Sequence, residues 1–226
     1  MKKYELHTHT YYSCCSGQSP EKLLTQCYKK GFDGVAITDH DTTKGYHEAV
    51  KVNKKLSKRF GYELEIIPAI EIKTQFGDLI VYFMKKEIKT KDFYEACRQA
   101  KEQGALCIIP HPFRARKKAA FKKDIGEIKH LIDGLEAFNG RTGHKGNLKA
   151  QEVAKQLDLP MTAGSDAHFS YEVGTCTVYC EKDLKQDILN KRLKVSYNPT
   201  RAFINYTIGS LNTVYAKKQH KKHKHP

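Results

Sequence analysis

Short apolar runs alternate along this chain with longer amphipathic stretches, and most of the runs stop at a histidine or a carboxylate. Buried parallel strands separated by helices leave this trace, because a strand covered on both faces has no polar side to alternate with. The runs predict strands at 4–6, 34–38, 66–70, 79–83, 105–109, 134–138, 161–164 and 174–179. The first helix is the best signposted: Ser19 caps it, Pro20 suits its first position, Glu21 complements its dipole, and Leu23, Leu24 and Cys27 share a face before Gly31 stops it. Further helices are expected at 43–58, 147–157 and 184–192. Only Thr74-Gln75-Phe76-Gly77-Asp78 joins the third strand to the fourth, too little chain for a helical crossover, so a hairpin-like departure is expected there. These signals describe an α/β fold built as an irregular barrel.

At 226 residues, one domain suffices to bury a core. No run approaches the roughly 20 apolar residues of a membrane span, and the N-terminal residues lack the apolar stretch of a signal peptide. The expectation is a cytoplasmic protein with no membrane partner. Seven irregularly spaced cysteines argue against a disulfide framework and fit a reducing compartment. The net charge of +15 favours anionic partners, nucleotides or short nucleic acid among them. Five lysines and three histidines crowd into the last ten residues. Residues 213–226 are therefore expected to form a disordered basic tail behind a domain spanning 1–212, with His220, His223 and His225 solvated.

The residues at the strand ends carry the chemistry. The first strand runs into His7-Thr8-His9, the second into Asp39-His40, the third into Glu71, the fifth into His111 and the seventh into Ser165-Asp166-Ala167-His168. In a parallel barrel all carboxyl ends lie on one face, so residues far apart in sequence meet there. Two neutral nitrogens from His7 and His9 with the carboxylates of Glu71 and Asp166 suit Zn, Mn or Fe. Adding His40, His111 and His168 gives more donors than one ion needs and points to two or three clustered ions. His47, His130 and His144 have no such setting and are expected to be surface or satisfied core residues instead of ligands.

The segments His7-Thr8-His9-Thr10, Ile37-Thr38-Asp39-His40-Asp41, Pro68-Ala69-Ile70-Glu71-Ile72, Ile109-Pro110-His111-Pro112-Phe113 and Ala163-Gly164-Ser165-Asp166-Ala167-His168 occur in this order. Together they resemble the motifs of the PHP (polymerase and histidinol phosphatase) family over roughly residues 4–175. The resemblance implies a distorted (β/α)7 TIM-like barrel and up to three divalent ions. It implies a first ion on His7, His9, Glu71 and Asp166, Glu71 bridging to a second on His111, and a third on His40 and His168. Many relatives place a carboxylate or histidine shortly after the first motif, where this chain has Ser13-Cys14-Cys15-Ser16. Either Cys14 or Cys15 serves there as a thiolate ligand for a softer ion, or the third site is weak or empty. Asn139 occupies the place of the second ion's remaining ligand.

The activity implied is metal-dependent phosphoester hydrolysis by an activated water. Arg114 and Arg141 fall on loops above the site, where guanidinium groups clamp phosphate, with Asn139 nearby. His168 or Asp39 is the candidate proton relay. Tyr11, Tyr12 and Phe113 are the rings that could hold a base. The positive charge ranks a nucleotide 3′-phosphate, such as a 3′,5′-bisphosphonucleotide, or a short oligonucleotide first, and histidinol phosphate second. A catalytically degenerate PHP module that binds nucleic acid is the reading from a different class.

Overall fold

The computed structural model describes residues 1–115 and 120–222, without the side chains of 206, 210 and 219–222. Its nine strands are β1 (Lys2–Glu5), β2 (Gly34–Ile37), β3 (Glu65–Thr74), β4 (Gly77–Tyr82), β5 (Leu106–Ile109), β6 (Gly134–Asn139), β7 (Met161–Gly164), β8 (Cys176–Cys180) and β9 (Lys194–Tyr197). They form one sheet in the order β7-β6-β5-β4-β3-β2-β1-β8-β9. The ends β1 and β7 meet through a parallel bridge between Thr8 and Ala167, where His9 N–H donates to Ala167 O (2.8 Å) and Ala167 N–H to His7 O (3.1 Å). These bonds nearly close β1 to β7 into a barrel, and they do so at the carboxyl end of the parallel strands.

The strand pairs β1–β2, β2–β3, β5–β6 and β6–β7 are parallel. β4 runs antiparallel to both β3 and β5, so the short 74–78 connection is a hairpin as its length requires. The reversal has a consequence for the site: the start of β4 lies on the rim where the other barrel strands end. The eighth expected strand leaves the barrel. β8 pairs antiparallel with the outer side of β1 and carries β9, an edge strand with no clear sequence signal.

Helix α1 (Pro20–Lys29) forms as its caps predict, with Ser19 accepting from Lys22 N–H, and buries Leu23, Leu24 and Cys27. Burial of each such aliphatic side chain contributes about 1.5–3 kcal/mol. α2 (Lys44–Phe60) ends on Gly61, whose φ of 78° needs a residue without Cβ. α3 (Phe93–Glu102) and α4 (Ile125–Ile128) flank β5, and α5 (His144–Gln156) packs behind β6. Inside the barrel, Tyr4, Leu6, Ile67, Tyr82 and Ile108 share one apolar cluster, and the Tyr82 hydroxyl donates to Leu6 O (2.8 Å).

After α6 (Leu184–Leu189), the chain forms α7 (Pro199–Ile204), a π turn (Asn205–Gly209) and α8 (Ser210–Lys222). The tail expected to be disordered from 213 is thus helical through Lys222, because Val214, Tyr215, Ala216 and the following lysines include strong helix formers and no breaker. His223, His225 and the end of that tail lie outside the described residues. Among the described residues, no helix is long and apolar enough to cross a membrane.

Candidate metal centre

Strand β1 leaves the barrel through Leu6 and places His7 and His9 on the same side, their Nε2 atoms 3.2 Å apart. Glu71, inside β3, stands between the other groups. Its Oε2 lies 3.2 Å from His9 Nε2, 3.5 Å from His7 Nε2 and 3.1 Å from His40 Nδ1, while Oε1 lies 3.1 Å from His111 Nε2. Asp166 Oδ1 is 3.3 Å from His9 Nε2 and 3.6 Å from His7 Nε2. Among the described residues, four sets have donor atoms within 4.8 Å of one another: His7–His9–Asp166, His7–Glu71–His111, His9–Cys15–His40 and His40–Glu71–Asp78. Six of the seven expected ligands therefore converge. The seventh, His168, lies beside them, its ring 4.4 Å from that of His9. The Nδ1–H of His168 donates to Asp166 O (2.8 Å), which leaves Nε2 with the lone pair.

Buried partners fix these ligands. The Nδ1–H of His7 donates to Glu136 Oε1 (2.9 Å), so Nε2 presents its lone pair to the cluster. The other oxygen of Glu136 accepts from His111 N–H (3.0 Å) and from Asn139 Nδ2 (2.9 Å). On the opposite side Ser13 Oγ accepts from His9 Nδ1 (3.3 Å) and His40 N–H (2.9 Å), and donates to Asp39 Oδ1 (2.7 Å). Glu5 holds the seventh strand end by accepting from Ser165 N–H (2.8 Å) and Ser165 Oγ. His111 and Asp166 have left-handed backbones, with φ of 33° and 53°. Non-glycine residues hold that conformation only where their surroundings impose it, as at many functional sites.

Three of the expected residues are held by partners within the protein. Asp39 is fully buried, and Thr10 N–H (2.7 Å), Thr10 Oγ (2.5 Å) and Ser13 Oγ occupy both its oxygens, so it pins the first-motif loop. Asn139 Oδ1 already accepts from Arg114 (3.2 Å), Arg141 N–H (2.9 Å) and Thr142 Oγ1 (3.0 Å), so its carbonyl oxygen is engaged within the protein. The Arg141 guanidinium faces Glu172 (3.3 Å) and donates to Thr213 Oγ1 of α8 (2.8 Å), so it anchors the C-terminal helix. Arg114 does reach the site, where its guanidinium pairs with Asp166. The hydroxyls of Tyr11 and Tyr12 both donate to Glu48 of α2, while Phe113 packs against the core under Lys149. His47, His130 and His144 are exposed and belong to none of these donor sets.

Residues missed in the sequence complete the picture. Asp78, the second residue of β4, lies 4.0 Å from His111 Nε2; because β4 is reversed, its first residues reach the rim that the other strands reach with their last. Glu136, inside the largely apolar β6, and Glu5, the last residue of β1, are fully buried carboxylates within the barrel, a polar task that the sequence reading passed over.

Burial opposes charge throughout the cluster: it prevails at His40 and His168, whose pKa values fall well below the usual histidine range, while opposite charges prevail at His7, Glu71 and Asp166. Burial works against a protonated His7, but Glu136, Asp166 and Glu71 outweigh it and hold its pKa well above the usual histidine range, so the Nε2 lone pair becomes available only where a bound cation replaces that proton. Burial likewise opposes charge on Glu71 and Asp166; His40 and His7 keep the first well below the carboxylate range, and Arg114 and His7 the second. Asp78 is pushed up to about 6 by burial and by Glu71. Two buried atoms without a hydrogen-bond partner, His40 Nδ1 and Glu71 Oε2, face each other at 3.1 Å. Lone pairs converging on a buried, anion-rich centre fit divalent cations with mixed nitrogen and oxygen ligands.

The PHP domain family matches residues 5–156, and the PHP-associated family matches residues 144–193. The chain belongs to the PHP family. It is 36% identical over 183 residues to the uncharacterized protein MJ0417 of Methanocaldococcus jannaschii, covering 78% of this chain and 69% of that protein. A 76-residue stretch, 33% of this PHP chain, is 35% identical to part of a 5'-3' exoribonuclease of Haemophilus influenzae and covers 25% of it. In structure, the chain resembles a two-domain protein of Bacteroides vulgatus described as containing a predicted PHP-like metal-dependent phosphoesterase. The TM-score is 0.70 at 19% identity, covering 91% of this chain and 69% of that one.

Proposed function

We propose that this PHP protein is a divalent-metal-dependent phosphoesterase acting on a nucleotide 3′-phosphate, such as a 3′,5′-bisphosphonucleotide, or on a short oligonucleotide. The observation that carries the reading is the position of Glu71, with one oxygen toward His7, His9 and His40 and the other toward His111. A carboxylate so placed suits two neighbouring ions, one held by His7, His9 and Asp166 and the other by His111 with Asp78. Mn, Zn or Fe matches the donor set. Bound ions would neutralise charge on the phosphoryl oxygens and lower the cost of deprotonating the attacking water.

The chain's own residues supply the rest. Arg114, 17% exposed at its side chain, borders the cluster and can turn from Asp166 to a phosphate oxygen. His168, its Nδ1 committed to a carbonyl, offers Nε2 as a further ligand rather than as a proton donor. The charge of +15 favours a polyanionic substrate over histidinol phosphate, which carries its own cation. The partial match to a 5'-3' exoribonuclease points the same way.

The test is phosphate release by Mn-reconstituted protein from adenosine 3′,5′-bisphosphate, a 5′-phosphorylated oligonucleotide and histidinol phosphate, each with a chelator control. Chelator-sensitive turnover of either of the first two is the expected result. Turnover of histidinol phosphate alone would reassign the substrate. Metal-loaded protein that turns over none of them, yet binds oligonucleotide, would favour the degenerate binding module.

A further inference from the structure

The loop after His9 folds back on itself. Ser13 N–H donates to Thr10 O (2.9 Å) and Ser16 N–H to Ser13 O (3.0 Å), while Ser16 Oγ reaches His168 O (2.7 Å) and Gln18 Nε2 reaches His9 O (2.8 Å). These successive turns leave Cys14 exposed and bury Cys15, which is 4% exposed. The setting of Cys15 differs from that of the other buried cysteines. Cys27, Cys97, Cys107, Cys176 and Cys180 each belong to an apolar core cluster, and Cys15 belongs to none of them. Its sulfur instead lies with imidazole nitrogens of His9 and His40, all three atoms within 4.8 Å of one another.

We propose that Cys15 is a thiolate ligand, and that its sulfur and the imidazole of His40, with His9 beside them, hold a soft divalent cation, zinc or iron(II), as a third ion of the cluster. The inference rests on the metal-dependent reading of the same centre. Ligand atoms around a tetrahedral zinc stand about 3.3–3.8 Å apart, so closing the set onto an ion takes a shift of about 1 Å, within reach of side-chain torsions. Because His9 donates its Nδ1–H to Ser13, it has one lone pair to give, and serves either this ion or the one on His7 and Asp166. Cys15 and His40 are therefore the ligands that define this position. Sulfur selects against magnesium and manganese and for zinc, iron(II) or cobalt(II), which makes one ion of this protein chemically distinct from the others.

The probe is cobalt(II). Titrated into metal-free full-length protein, it is expected to give a thiolate-to-cobalt charge-transfer band in the near ultraviolet in the unaltered protein and in Cys14→Ser. Cys15→Ser is expected to lose that band and, after zinc loading, one ion per chain by mass spectrometry. His40→Ala removes a ligand without touching sulfur and is expected to lose the same ion. Alkylation of Cys15 in the unaltered protein, slow with zinc bound and faster after chelation, supplies a readout that needs no variant to fold. No band in protein that binds its ions and releases phosphate, or a full band in Cys15→Ser, would overturn the thiolate site alone. Protein that takes up no ion at all would overturn the metal-dependent reading with it.

Discussion

Replacing Glu136 by Gln isolates the tautomer of His7. Glu136 is 1% exposed, and its two oxygens accept from His7 Nδ1–H, His111 N–H and Asn139 Nδ2–H. Gln keeps the shape but has one oxygen. If that oxygen serves His111 and Asn139, the Gln amide faces His7 with an N–H, and the imidazole must turn Nδ1 into an acceptor and place its proton on Nε2. The lone pair then leaves the cluster, and His7 ceases to be a ligand. Loss of such an orienting partner typically weakens metal binding about 10–100-fold, or roughly 1.4–2.7 kcal/mol. The assay is zinc competition against a chromophoric chelator, with a thermal melt to show that the variant is folded. A folded Glu136→Gln protein that binds zinc as tightly as the unaltered protein would refute the tautomer argument.

Other outcomes follow from the same geometry. Gly164→Ala puts a Cβ 2.2 Å from His7 Cβ and 2.8 Å from Glu136 Oε1, and a melt should show destabilisation of about 3 kcal/mol or more. Arg114→Ala should raise KM for a phosphorylated substrate about 10–100-fold, the worth of a hydrogen bond to a charged group; an unchanged KM would confine Arg114 to holding Asp166. Burial of Glu172 lifts its carboxyl from 4.5 to about 7 despite Arg141, so the folded protein keeps a proton that the unfolded chain releases. Stability should therefore fall as pH rises from about 4.5 to 7, by about 3 kcal/mol at most. Melts of Glu172→Gln across that range should lack this component.

How far the sequence reveals the site depends on where each residue sits in its strand. His7, His9, His40, Glu71, His111 and Asp166 were legible because a ligand-type residue at or near the carboxyl end of a barrel strand has few other places to point. The hairpin was legible from the brevity of its connection. Asp78 was not, since it lies near the start of its strand, and only the antiparallel pairing of β4 brings it to the rim. Asp39, Asn139 and Arg141 share the positions and types of functional residues, but neighbours far along the chain engage polar atoms of each. Thr10 does this for Asp39, Arg114 for Asn139 and Thr213 for Arg141. Those pairings are set by tertiary packing and leave no local trace. The helix at Phe93–Glu102 did carry one, the cap that Asp92 provides.

The most direct test is the metal content of the full-length protein, loaded with manganese or zinc, freed of excess ion and measured by mass spectrometry beside Glu71→Ala. Convergence of four donor sets on Glu71 and its neighbours predicts at least two ions per chain in the unaltered protein and fewer once the shared carboxylate is gone. Less than one ion per chain, or an undiminished content in Glu71→Ala, would contradict the metal cluster on which the phosphoesterase reading stands.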